Sequence, residues 1–199
     1  MMKAVRQDEK GAVTVQELDE RLAAVAAFVP LGARFADIGA DHAKLPLALV
    51  AMERIAHAVA VEVHEGPFAA AERAVRLAGC TAAVEVRLGD GLSAIRPGEV
   101  DAVAVAGMGG SLISRILTDG AAVLQEVKTL ILQPQSDAAE LRAWLYAHDW
   151  HIADESLALA GGRIYEVLLA KPGREDFPAP ILLEIGPLLW QKKPPLLRA

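Results

Sequence analysis

Cysteine is almost absent from this sequence: Cys80 is the single one in 199 residues. It has no partner for an internal disulfide and no companions for a Cys/His zinc cluster, which points to a reduced, metal-free chain. The other histidines that might build a metal site, His57, His64, His148 and His151, are scattered between strand and helix positions. Long apolar runs are missing too. The longest stretch without a charge, Ala102 to Ser114, falls well short of the ~20 residues that span a bilayer. The opening MMKAVRQDEKGAV mixes both charges and lacks an apolar segment, which argues against a signal peptide and for a cytoplasmic protein. Nor is positive charge in excess. With 20 Lys+Arg against 26 Asp+Glu the formal net charge is −6, so attraction to a polyanion needs a local basic patch. Lys3, Arg6, Lys10, Arg21, Lys44, Arg142 and Arg163 are the candidates for one. Aromatic residues are scarce, at 5%, but 53% hydrophobic and 23% charged residues suffice for a core and are too apolar for disorder.

The pattern along the chain predicts a flexible leader over 1–13 and one domain over 14–171. Thr14 with Glu17 reads as a capping box, followed by Leu18, Leu22, Val25, Ala26 and Val29 at helical spacing, so a first helix is expected to end before Pro30. Short β-branched or apolar runs then alternate with helical segments. Strands are predicted at Arg34–Ile38, His57–Val63, Val84–Leu88, Asp101–Ala106 and Thr129–Gln133. Between them, Pro67 to Leu77 and the stripe Leu112, Ile113, Ile116, Leu117 read as helices. A later helix has Asp137 and Glu140 as a reciprocal cap and Leu141, Trp144 and Leu145 as its buried face. Two final strands near 150–158 and 163–170, turned by Gly161-Gly162, complete an α/β layout. That is a mostly parallel seven-stranded sheet with an antiparallel C-terminal hairpin, as in Rossmann-like methyltransferases, although periodicity does not separate it from other doubly wound folds. The tail over 172–199, with Pro178, Pro180, Pro187, Pro194 and Pro195, reads as too broken for a helix.

Open α/β sheets bind ligands at the carboxyl ends of their strands, so chemistry is sought there. The first strand runs into Asp37-Ile38-Gly39-Ala40-Asp41-His42, where Gly39 lets backbone approach a ligand closely. This is no dinucleotide fingerprint: Asp41 and Lys44 stand where further glycines would be needed, and Asp41 would repel a pyrophosphate. A ligand with cationic groups suits it better, and S-adenosylmethionine carries a sulfonium and an ammonium. The plainer alternative is that Asp37 and Asp41 cap a helix. After the second strand, Glu62 stands roughly ~20 residues beyond Gly39, the separation expected of a carboxylate that accepts ribose hydroxyls. Gly89-Asp90-Gly91-Leu92 offers a carboxylate for an adenine amino group and an apolar cover for the ring. Ala106-Gly107-Met108-Gly109-Gly110 removes side chains where a reacting base must approach. Gln133 and Gln135 end the fifth strand with amides suited to a base edge or to a helix cap.

Two absences narrow the reaction. The Asp/Asn-Pro-Pro-aromatic sequence of exocyclic-amine methyltransferases does not follow the fourth strand, and Cys80 lies away from the strand ends, where carbon-five methylation would need its nucleophile. A ring nitrogen needs neither device, since its lone pair attacks once aligned and desolvated.

The segments LDERLAAVAAFVP, FADIGADHAKLP, VEVHEGPF, VRLGDGL, VAVAGMGGSLI, LILQPQ and GGRIYEVLLA resemble, in order and spacing, the bacterial tRNA (adenine(22)-N(1))-methyltransferase family. The resemblance runs from Leu18 to about Ala170 and implies a class I fold that uses S-adenosyl-L-methionine on tRNA, with no metal. By motif position it implies Gly39, Ala40, Asp41 and His42 at the methionine portion, with Asp37 beside them. It implies Glu62 and Val63 at the ribose, and Asp90, Gly91 and Leu92 at the adenine. Ala106, Gly107 and Met108 would lie near the transferred methyl, and Asp41, His42, Gly107 and Met108 would serve catalysis. Family members continue past the Gly186-Pro187 motif into a helical coiled-coil extension, which this sequence does not carry. Three alternatives remain at this point: a class I methyltransferase with a different acceptor, a nicotinamide-dependent oxidoreductase, and a catalytically silent module that binds S-adenosylmethionine or RNA.

Overall fold

The structure, a computed structural model, describes residues 18–198. Its strands are β1 (Phe35–Ile38), β2 (Ala58–Glu62), β3 (Val84–Leu88), β4 (Ala102–Met108), β5 (Thr129–Pro134), β6 (Trp150–Ala160) and β7 (Arg163–Pro172). They form one sheet in the order β3-β2-β1-β4-β5-β7-β6. The first five are parallel, and β7 runs antiparallel to both β5 and β6. Strand order reverses between β1 and β4, which places the switch point of the sheet, and hence a ligand crevice, between their carboxyl ends. The expected seven-stranded layout holds. Gly161 and Gly162, both at positive φ, turn the β6–β7 hairpin, where glycine removes the steric cost.

The helices are α1 (Glu20–Phe28), α2 (Lys44–Ala51), α3 (Glu65–Leu77), α4 (Gly110–Asp119), α5 (Ala121–Leu124), α6 (Ala138–Ala147), α7 (Pro180–Ile185) and α8 (Pro187–Lys192). β4 shows how both faces of the sheet are covered. Val103 and Val105 enter one core with Ile113 and Leu117 of α4 and Leu141 of α6. Ala102 and Ala104, on the opposite face, join Leu45 and Leu49 of α2, Val25 of α1 and Val75 of α3. Small residues on that face let the helices approach closely, and larger ones fill the other. No described helix is long and apolar enough to cross a membrane.

Three local expectations are corrected. Within the described residues the first helix is capped by Asp19, whose side chain accepts the Leu22 amide at 2.7 Å; Thr14 and Glu17 lie outside them. Asp137 and Glu140 form no reciprocal cap on α6. Asp137 stands at φ 57° with no capping bond, while Glu140 accepts the Ser111 hydroxyl at 2.7 Å and so ties α6 to α4. The Pro-rich tail is helical in two short pieces. Pro180 and Pro187 open α7 and α8 at a first-turn position, where a proline sacrifices no needed N–H. The orphan groups at the junction are satisfied from the body of the domain. Arg142 donates to the Leu183 carbonyl at 2.8 Å, and Glu155 accepts the amides of Leu188 and Leu189 at 2.8 and 3.3 Å.

Candidate active site

Immediately after β1 the backbone leaves ordinary geometry. Gly39 has φ +74°, and Asp41, His42 and Ala43 follow at φ 37°, 65° and 55°. Three consecutive side-chain-bearing residues in the left-handed region are strained, and such strain collects at ligand sites. The loop is held by the amides of Gly39 and Ala40, which both donate to the Val61 carbonyl of β2. Ala43, not Asp37 or Asp41, is the N-cap of α2, and it makes no side-chain cap. The plain capping role for those acids is thereby excluded. Asp41 instead pairs with Lys44 at 3.0 Å, which takes Lys44 from the free basic surface.

The end of β4 is shaped by a bulge. Its register with β5 shifts between Ala106 and Met108, and Gly107, between them, has φ +81°. The amide of Gly107 donates to Gln133 Oε1 at 3.1 Å, Arg21 Nη1 donates to the same oxygen at 2.9 Å, and Gln133 Nε2 donates to the Pro134 carbonyl at 2.7 Å. Gln133 is fully buried and committed to the structure, so it reads no ligand. It replaces the ladder bond that the bulge removes. Gln135, two residues on, is exposed.

Two cavities open at these strand ends and meet at Gly39 and Met108. The first, about 260 Å³, is lined by Asp37, Gly39, Ala40, Asp41, Ala106, Gly107 and Met108, together with Arg21 and Gln135. The second, about 240 Å³, is lined by Gly39, Val63, Asp90, Gly91 and Met108, together with His64, Leu112 and Arg115. Most of the residues marked in the sequence are thus gathered into one crevice. Two are not. His42 projects to the surface, half exposed, and lines neither cavity. Leu92 is buried and packs on Gly120, so its place is beneath the Gly91–Ala94 turn and not on the cavity wall.

Electrostatics mark the same place. Asp37 is 4% exposed. Its burial, reinforced by the Glu62 carboxylate and opposed by the Arg21 guanidinium, pushes the carboxyl up to about 7. Glu62, at the end of β2, is 6% exposed, and its Oε1 has no hydrogen-bond partner. Burial raises its carboxyl too, while the Asp41 backbone amide pulls it down. A buried carboxylate oxygen without a donor is costly, and hydroxyl or ammonium groups of a ligand relieve that cost. Cys80 is buried in the connection between α3 and β3, where burial pushes its thiol up and away from the nucleophilic thiolate. Among the described residues no three His, Cys, Asp or Glu side chains gather as metal ligands.

The glycines after β4 divide by role. Gly107 faces the gap between Arg21 Nη1 and Gln135 Nε2, each 3.6 Å from where its Cβ would lie. Gly109 and Gly110 pack against Ser136 and Asp137, and a side chain on Gly110 would collide with the Asp137 carbonyl. These two serve the close approach of α4 and α6 and do not admit a base. Arg21, a candidate for a basic patch, instead forms a wall of the first cavity, where buried Gln133 holds it, and no local pattern marks it for that place. Arg142, another candidate, is wholly buried and paired with Glu155 and Glu166, so it is lost to any basic patch. Lys3, Arg6 and Lys10 lie outside the described residues.

A Rossmann-like sheet whose switch-point crevice is lined by these acids and glycines defines a methyltransferase domain, and the family described as "Methyltransferase domain" matches residues 18–168. The chain belongs to the tRNA (adenine(22)-N(1))-methyltransferase family. It is 44% identical over 160 residues to the Bacillus subtilis protein of that name, covering 80% of this chain and 67% of that one. The crystal structure of Bacillus subtilis TrmK superposes with a TM-score of 0.85 at 38% identity, over 91% of this chain and 80% of that one. A Streptococcus pneumoniae protein in complex with S-adenosyl-L-methionine superposes with a TM-score of 0.88 at 39% identity, over 91% of this chain and 85% of that one.

Proposed function

We propose that this chain transfers the methyl group of S-adenosyl-L-methionine to N1 of adenine 22 in tRNA. The observation that carries the reading is the pair of cavities meeting at Gly39 and Met108, beside the Gly107 bulge. The family to which the chain belongs supports the same acceptor, and the setting is the cytoplasm, where tRNA is modified.

The residues fit the cofactor on their own chemistry. Asp37, Gly39, Ala40 and Asp41 would hold the methionine portion, with His42 at its outer edge. The unpartnered Glu62 Oε1 suits a ribose hydroxyl, with Val63 against the sugar. Asp90 and Gly91 would take the adenine, while Leu92 supports the turn that carries them. The cofactor supplies an electrophilic methyl on a sulfonium. Ala106, Gly107 and Met108 would border the point of its delivery, and Gly107 would leave room for the approaching base. Adenine N1 is on the pairing edge, so the target base must leave its stack to reach this crevice. Its neutral lone pair needs no strong base, and the acidic wall of Asp37 and Asp41 favours the positive charge that methylation leaves.

The test uses radiolabelled donor with two tRNA transcripts, one with adenine at position 22 and one with guanine there. Label in the first alone is expected. Label in neither, with donor binding intact by calorimetry, leaves a silent cofactor-binding domain. Asp41→Ala is expected to abolish transfer, and an unchanged rate in that variant removes Asp41 from the mechanism.

A further inference from the structure

Beyond the two cofactor cavities lies a third and larger one, about 430 Å³, between the start of α6 and the start of β7. Gln135 lines both this cleft and the first cavity, so the cleft opens beside Gly107. Tyr165 is the only Phe, Tyr or Trp lining any of the three. It is half buried, in a protein where aromatic residues are scarce.

Two cations lie over its ring. The guanidinium carbon of Arg163 is 5.5 Å from the ring centroid and that of Arg21 is 5.9 Å away. Both are anchored. Arg163 Nη2 donates to the Gln135 carbonyl at 3.0 Å, and Arg21 is held by the buried Gln133. The wall of the cleft also carries Asp137, Glu140, Glu166 and Glu184. Glu140 and Glu166 are engaged with Ser111 and Arg142, but the wall as a whole disfavours phosphate. A neutral planar group is therefore the occupant this cleft accepts, with anionic backbone kept to the arginine side.

We propose that Tyr165 and the arginine guanidiniums held over its ring together form the stacking platform for the acceptor nucleobase, with the exposed Gln135 amide at the edge of the base. The proposal rests on the acceptor being an RNA adenine, as above, and adds the surface that holds it. Single-stranded bases are commonly held on aromatic faces and guanidinium planes while amides meet their edges.

Tyr165→Leu and Tyr165→Phe separate stacking from packing. For the leucine variant kcat/KM on tRNA should fall roughly tenfold to a hundredfold, and for phenylalanine it should stay within about twofold of wild type. Calorimetric affinity for S-adenosyl-L-methionine should be unchanged in both. A direct readout places 2-aminopurine at position 22 of the tRNA and adds protein loaded with S-adenosyl-L-homocysteine. Stacking on the ring quenches the probe in wild type and Tyr165→Phe, and Tyr165→Leu should be brighter. Equal fluorescence in all three, or a leucine variant as active as wild type, overturns the platform. A wild-type protein that binds donor and tRNA but transfers no methyl overturns the proposed function instead, and the fluorescence comparison still decides whether Tyr165 holds the base.

Discussion

Arg142 and Glu155 form a buried ion pair at 2.8 Å that caps two helices at once. Arg142 reaches the carbonyl end of α7, where the helix dipole is negative, and Glu155 reaches the amide end of α8, where it is positive. Gly186 between the helices, at φ +93°, leaves no room for a side chain: a Cβ there would stand 2.8 Å from Arg142 Nη2 and 2.9 Å from Glu155 Oε1. Arg142→Leu strands the buried Glu155 carboxylate and the carbonyl end of α7. The expected loss is about 3–5 kcal/mol in urea unfolding. Donor affinity measured well below the transition should be unchanged, since neither residue lines the two cavities at the strand ends.

Asp37 gives the domain a pH dependence of defined sign. A carboxyl raised from 3.8 to about 7 by burial costs the fold nothing when both states are protonated, below 3.8. The penalty grows from there to about 7 and is fully present above it. Asp37→Asn should therefore stabilise the ligand-free protein by up to about 4 kcal/mol near pH 8 and leave it unchanged near pH 3.5. Thermal unfolding at the two pH values checks this, and calorimetry should show weaker donor binding in the same variant.

Glu62 offers a cleaner separation of binding from chemistry. Glu62→Gln keeps the shape but weakens acceptance at the unpartnered Oε1, where a hydrogen bond to a charged group contributes about 1.5–3 kcal/mol. Affinity for the donor should drop roughly tenfold to a hundredfold, while KM for tRNA at saturating donor stays near wild type. An unaltered donor affinity would falsify the assignment of this carboxylate to the ribose.

At Gly107 the constraint is conformational as well as spatial. Alanine must adopt φ +81° and place its methyl between Arg21 and Gln135. The strain is about 1–2 kcal/mol, small enough for the domain to fold, whereas the methyl stands in the approach of the acceptor. Gly107→Ala should thus lose most of its transfer activity with only a modest fall in melting temperature, measured side by side.

The prolines of the tail show why some structure was hidden from local reading. Pro180 and Pro187 fit their helices only because Arg142 and Glu155, more than thirty residues earlier, satisfy the helix ends. Gln133 stands at a strand end with an amide suited to a base edge or to a helix cap, yet the β4 bulge consumes it. Leu92 stands beside Asp90 in sequence but beneath the turn in space, against Gly120.

What the amino-acid sequence determined by itself was the order of the strands and of the helical segments between them, the turns at Gly39 and Gly161-Gly162, and the acids at the strand ends. Those follow from side-chain period and backbone sterics, which act over a few residues. The tertiary structure alone decided which polar groups face the crevice and which are spent inside: Arg21 and Tyr165 brought to its mouth, Arg142 and Gln133 withdrawn from it. Burial and hydrogen-bond satisfaction depend on partners that only folding brings together.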